Sequence, residues 1–263
     1  MAKITKKGKL TFYDDVIQGT QEWLKLRTGR VTCSNALTLI NKGKNAAMEA
    51  NRLAHIRVTP NGNDFAERGH FIEHQMKENY NKVLNMQNLT LADCGFITNE
   101  DYPEAGYSPD GLICPIVDGE PDLLDIQALA EFKAYNDVTF RDENGRGVDF
   151  DHAKSNYEMS IVCKHRNACR DIMKVPPEAI AQCNMAMLIT GADLVYLFLC
   201  NPDADKTDKA IKKVLESGDE KAIEKLKETC PGDDFSEPTP FTKVWEIKRN
   251  NVIIERLIKK LSH

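Results

Sequence analysis

Apolar positions along this chain repeat first with helical and then with strand spacing. Residues 20–28 put Trp23 with Leu26, and Leu24 with Arg27, on shared faces, between Thr20 as cap and Gly29 as stop. After Val31-Thr32, either Thr32 or Ser34 can cap a second helix through Leu37 and Leu39-Ile40. From Asp64 to about Leu84 a longer helix is expected, with Ile72, Met76, Tyr80 and Val83 on its apolar stripe and Glu73 at the edge of that stripe. Residues 89–98 and 105–117 read as strands of a meander, with Asp110-Gly111 after Pro109 as a hairpin turn. An acidic connection at 118–126 leads to a short strand at 128–134, on which Glu131 and Lys133 point together while Phe132 faces the other way.

The second half opens with a polar segment, residues 136–175, read as an insertion or lid with one helix near 153–170. Pro176-Pro177 then starts a helix reaching Thr190 that is apolar nearly all round, so it must be buried. Its polar exceptions, Gln182 and Asn184, need hydrogen-bond partners there. The continuous apolar run from Leu194 to Cys200 is that of a central strand covered on both faces. Residues 207–228 read as one or two charged amphipathic helices broken at Gly218, residues 241–247 as a last strand, and residues 251–261 as a closing helix with Val252, Leu257, Ile258 and Leu261 inward.

At 263 residues, 41% of them hydrophobic, the chain can bury a sizeable core, and one elaborated domain is expected. No stretch is long enough to span a membrane, and the amino-terminal lysines have no apolar run behind them, so a cytoplasmic location is expected. The cysteines at 33, 94, 114, 163, 169, 183, 200 and 230 include no Cys-x-x-Cys pair. Reduced thiols in apolar settings are therefore expected, rather than disulfides or an iron–sulfur cluster. A net charge of −5 argues against coating nucleic acid through bulk electrostatics. It leaves room for a nuclease, because bound cations reverse the local sign. Basic residues gather at the amino terminus and at Lys164-His165-Arg166 with Arg170 and Lys174.

The chemistry concentrates between Tyr107 and Lys133. If Asp110 is delivered to the end of the strand bearing Glu131 and Lys133, two carboxylates and an ammonium converge, a set suited to Mg²⁺. Such an ion polarises a phosphodiester and lowers the pKa of a bound water. Read blandly, the same residues are an ordinary turn and a solvated strand face. Glu73 is placed to reach into the site from its helix, or else to pair with Lys77. Arg27 and Arg30 followed by Ser34 at a helix start would make a phosphate pocket. His70-Phe71-Ile72-Glu73-His74 fits the His-x-x-Glu-His pattern of zinc peptidases, which would also require a third ligand from another helix.

Five segments in order resemble the lambda-exonuclease-type (YqaJ-like) viral recombination nucleases of the PD-(D/E)xK superfamily. They are Gln21-Glu22-Trp23 with Leu26-Arg27 and Thr32-Cys33-Ser34; Gly69 to Glu73; Ser108-Pro109-Asp110-Gly111-Leu112; Glu131-Phe132-Lys133; and Ala181-Gln182 through Gly191 with the strand after it. The resemblance implies an α/β fold with a restriction-endonuclease-like PD-(D/E)xK core, a central mixed sheet flanked by helices. It implies Mg²⁺, with Mn²⁺ as a substitute, on Asp110, Glu131, the Phe132 carbonyl and Glu73. It further implies water handled by Lys133 and Gln182, and a DNA 5′-phosphate held by Arg27, Ser34 and Ser108. The implied activity is 5′-to-3′ digestion of linear double-stranded DNA, leaving 3′ single strands for a single-strand annealing protein, by a homo-oligomer such as a trimer. Asn184 stands where a second glutamine is common, and the segment at 136–175 is longer than the family suggests. The alternatives are the zinc peptidase on His70, Glu73 and His74, and a non-catalytic DNA-end-binding module.

Overall fold

A computed structural model describes residues 4–56, 64–134, 174–201, 204–230, 232–239 and 241–262, with the side chains of residues 54–56, 64–71, 206 and 229 outside the description. The expected lid at 136–175, its helix, Cys163, Cys169 and the basic cluster from Lys164 to Arg170 fall almost wholly on residues 135–173, outside the described residues. Contacts divide the chain into two compact units. One comprises Met1–Phe132, Pro176–Phe198 and Val244–His263; the other comprises Lys133–Val175 and Leu199–Lys243.

The first unit begins with a hairpin, β1 (Ile4–Lys7) and β2 (Leu10–Tyr13), and β2 pairs antiparallel with β5 (Phe96–Asn99). Helix α1 (Gln21–Arg27) starts where expected, the Thr20 side chain accepting from the Trp23 N–H. β3 (Val31–Thr32) runs parallel to β6 (Ala105–Gly106). Neither Thr32 nor Ser34 caps a regular helix, contrary to the sequence reading: Cys33–Asn35 form a 3₁₀ turn that runs directly into α2 (Ala36–Lys42) without a side-chain cap. Helix α3 (Lys44–Ile56), which the apolar pattern did not disclose, follows at once.

The long helix α4 spans Asp64–Asn85. Ile72 and Met76 are buried as expected, but Val83 is 50% exposed and Leu84 is buried instead. A step of four from Met76 through Tyr80 reaches Leu84, and Val83 falls just outside that stripe.

The central mixed sheet has the order β11-β10-β9-β7-β4, with β8 attached to β7, and helices flank it. Its strands are β4 (Leu89–Ala92), β7 (Gly111–Val117), β8 (Glu120–Pro121), β9 (Ala128–Ala134), β10 (Leu194–Cys200) and β11 (Thr242–Lys248). The hairpin turn expected at Asp110-Gly111 lies instead at Asp118-Gly119, whose φ values of 52° and 87° suit the tight turn joining β7 to β8. Asp110-Gly111 enters β7 directly, and Gly111 pairs with Ala130.

Helix α5 (Pro177–Thr190) is buried over most of its surface, and its Asn184 is satisfied by donating to Ile180 O and accepting from the Asn250 N–H. Helix α8 (Asn251–Leu261) closes this unit with Ile254, Leu257 and Leu261 inward, whereas Val252 is 61% exposed, against expectation, because it lies in the first turn beside the Asn250 cap. In the second unit, α6 (Ala204–Glu216) and α7 (Glu220–Thr229) flank Gly218 and bury Ile211, Leu226 and Cys230 together. Asp208 of α6 accepts from the Thr239 N–H and hydroxyl.

Candidate active site

Register places the two principal carboxylates side by side. Gly111 stands opposite Ala130 and Ile113 opposite Ala128 in the antiparallel β7–β9 pair, so one step outward sets Asp110 opposite Glu131. Directly opposed residues on antiparallel strands share a face. The Asp110 carboxylate is tied to that strand, accepting the Phe132 N–H at 2.9 Å. Gln18 holds the lead-in by donating to Pro109 O at 2.8 Å. Phe132 stacks on Phe198 with 4.6 Å between ring centroids, which anchors the backbone carrying Glu131.

Glu131 is fully buried and hydrogen-bonded at both oxygens. Oε1 accepts from the Tyr107 hydroxyl at 2.8 Å and Oε2 from Gln182 Nε2 at 2.5 Å. Burial first, and then the charges of Glu131 and Asp110, pushes the Tyr107 hydroxyl well above the usual tyrosine value, so it stays protonated as a donor. The same burial, with Glu131 nearby, raises the Cys33 thiol and makes it inert at neutral pH. Lys133 lies two residues beyond Glu131 on β9 and is partly exposed.

Glu73 reaches the same place from α4. It and Asp110 line a groove of about 500 Å³ with Asp14, Asp15, Asp93 and Lys77. Glu73 also makes the alternative contact considered for it, an ion pair with Lys77 at 2.8 Å. His74 points elsewhere: it is 74% exposed and lies 3.2 Å from Glu78. The His70 side chain lies outside the described residues.

The donor set is oxygen-rich, as a hard divalent cation requires, with Asp110 and Glu73 on one groove and Glu131 adjoining Asp110 across the strand pair. Nothing in it suits zinc bound through nitrogen or sulfur. As they stand, the described residues hold no cluster of three or more His, Cys, Asp or Glu close enough to enclose an ion. The set matches Mg²⁺ in donor type alone, because Glu131 is engaged by Tyr107 and Gln182 and Glu73 by Lys77.

A second cluster surrounds Arg27. Its Nη1 donates to Ser108 Oγ at 3.1 Å, and its Nη2 donates to Asn51 Oδ1 at 3.2 Å and Thr32 Oγ1 at 3.4 Å. The guanidinium lies 4.2 Å from the centroid of the Trp23 ring, whose Nε1 also donates to Ser108 Oγ at 2.9 Å. Burial lowers the Arg27 pKa to about 10, which leaves it charged at neutral pH. Ser34 joins through Thr32, with 3.1 Å between the two hydroxyl oxygens. Arg30 does not take part: it donates to the carbonyls of Pro103 and Leu26, bracing the chain around α1.

Sequence reasoning missed Tyr107, Asn51, Thr32 and Asn35. Asn51 is buried on α3 and donates to the carbonyls of Arg27 and Arg30. Asn51 lies on the helix that the apolar pattern did not disclose, and Tyr107 sits directly before Ser108-Pro109-Asp110.

A profile of the YqaJ-like viral recombinase domain matches residues 22–193, well over half of the chain. Similar solved structures include an alkaline exonuclease, LHK-Exo, from Laribacter hongkongensis, at 17% identity and a TM-score of 0.51, covering 92% of this chain and 89% of that one. LHK-Exo in complex with dAMP aligns over the same shares at 16% identity and a TM-score of 0.51. No curated protein matches the chain.

Proposed function

Since this chain belongs to the family of YqaJ-like viral recombinase domains, we propose that it is a metal-dependent deoxyribonuclease, digesting linear double-stranded DNA from 5′ to 3′. The observation that carries this reading is the facing pair Asp110 and Glu131, tied together through the Phe132 N–H, with the Arg27–Ser108 cluster attached to the loop that leads into Asp110. The likeness in fold to an exonuclease seen with a mononucleotide supports it.

In this mechanism Arg27, Ser34 and Ser108 bind the terminal 5′-phosphate and set the register of the first phosphodiester. Asp110, Glu131, the Phe132 carbonyl and Glu73 would hold Mg²⁺ or Mn²⁺. The ion would supply polarisation of the phosphodiester, a water of lowered pKa and charge for the leaving 3′-oxygen. Gln182 gives an amide N–H to Glu131, so its carbonyl is the acceptor that aligns a water. Lys133 offsets negative charge on the phosphate and steadies the same water. Tyr107 fixes the orientation of Glu131. The products are mononucleotides and 3′ single strands suited to a single-strand annealing protein, made in the cytoplasm by a homotrimer or another ring that keeps DNA threaded.

The test compares 5′-labelled and 3′-labelled linear duplexes with a nicked circle in Mg²⁺. Early release of the 5′ label, late release of the 3′ label and an untouched circle are expected. Tight end binding without hydrolysis would make the protein a non-catalytic end-binding module and refute the reading.

A further inference from the structure

Lone pairs and protons around Arg27 leave each hydroxyl of the cluster with a defined direction. Ser108 Oγ accepts from Trp23 Nε1 and from Arg27 Nη1. A hydroxyl has two lone pairs and one proton. Both acceptor positions of Ser108 are therefore filled, and its proton can only be donated outward. Thr32 Oγ1 likewise accepts twice, from Arg27 Nη2 at 3.4 Å and Asn35 Nδ2 at 3.2 Å. Its own proton must then go to Ser34 Oγ at 3.1 Å or to Asn51 Oδ1 at 3.4 Å. In neither case can Ser34 donate to Thr32. The Ser34 proton is released toward solvent, where the residue is exposed.

We infer that Trp23, Thr32 and Asn35 are positioning residues that force the hydroxyls of Ser34 and Ser108 to act as donors, giving the Arg27 cluster the polarity of an acceptor-only ligand, a terminal phosphate monoester. The inference rests on the end-binding role proposed above for Arg27, Ser34 and Ser108. A phosphate offers several oxygens to two O–H donors and a guanidinium at once, and charge-assisted bonds of this kind are the strong ones. A 5′-hydroxyl end offers one oxygen and brings a proton of its own. Trp23 acts twice, since its ring face lies under the guanidinium while its N–H saturates Ser108. Without that N–H, Ser108 could turn its proton away from the ligand.

The experiment measures kcat and KM on linear duplexes with 5′-phosphate and 5′-hydroxyl ends, for the wild type, Trp23→Phe, Asn35→Ala, Ser108→Ala, Arg27→Ala and the Trp23→Phe/Ser108→Ala double variant. Trp23→Phe keeps an aromatic face for Arg27 and deletes the N–H together with the rest of the pyrrole ring. It should lower the phosphate-to-hydroxyl rate ratio about tenfold, mainly through KM, the scale of one charge-assisted hydrogen bond. Asn35→Ala should lower the ratio about threefold, the scale of a weaker neutral bond. Trp23→Phe should change nothing further once Ser108 is alanine. Loss of fold alone would depress both substrates equally and leave the ratio where it was. A ratio within about twofold of wild type in Trp23→Phe and Asn35→Ala, while Arg27→Ala abolishes it, would overturn the inference and leave the end-binding role standing. A wild-type ratio of one would overturn both. Should Trp23→Phe fail to fold, the partly exposed Asn35 variant decides the matter alone.

Discussion

Glu131 gains its character from residues far away in sequence. It is buried on β9, and the donors at its two oxygens come from Tyr107, 24 residues away, and from Gln182, 51 residues away. Removing the hydroxyl in Tyr107→Phe strips a buried carboxylate of one hydrogen bond, a loss of about 1–3 kcal/mol. The expected outcome is a roughly tenfold fall in kcat on linear duplex DNA. A kcat within twofold of wild type would show that Tyr107 does not orient Glu131. Local sequence was enough to bring Asp110 to the strand bearing Glu131 and Lys133, because Asp110 stands directly before β7 and β9 is the partner of β7. It was not enough for Tyr107, for Asn51 or for the Trp23 N–H bonded to Ser108 85 residues on. Their roles are created by folding, and as isolated residues they look like ordinary core or helix-face positions.

Elements with a strong internal rhythm were legible: α1 with its Thr20 cap, the buried α5, the apolar β10 and the charged pair α6 and α7 all lie close to where the pattern puts them. Two kinds of element were not. The short strands of the two-stranded sheet, β3 and β6, carry only two residues each and no periodicity. The Asp-Gly signal occurs twice, and only the second, with positive φ at both residues, makes the hairpin. The element that sets Tyr107 is β6, where Gly106 lies against the ring of Phe96 so closely that a Cβ would overlap it. Gly106→Ala should destabilise the protein by about 1–3 kcal/mol, as overpacking a filled core does. Urea denaturation would register this as a lower midpoint with an unchanged slope. An unchanged midpoint would mean that the ring yields freely.

At the scale of the whole chain, a net charge of −5 has to be reconciled with the proposed action on anionic DNA. In the proposed function, the acidic groove around Asp110 and Glu73 would repel phosphate until a cation is present, while the Arg27 cluster would supply attraction at the strand end. Cation dependence is therefore the property on which the account turns. The most direct measurement follows mononucleotide release from a 5′-labelled linear duplex in Mg²⁺ and in excess EDTA, for wild type and for Asp110→Asn. Release in Mg²⁺ by the wild type, and loss of at least a hundredfold of it both in EDTA and in Asp110→Asn, is the predicted result, on the scale of a removed metal contribution of several kcal/mol. Undiminished release in EDTA, or by Asp110→Asn, would contradict it.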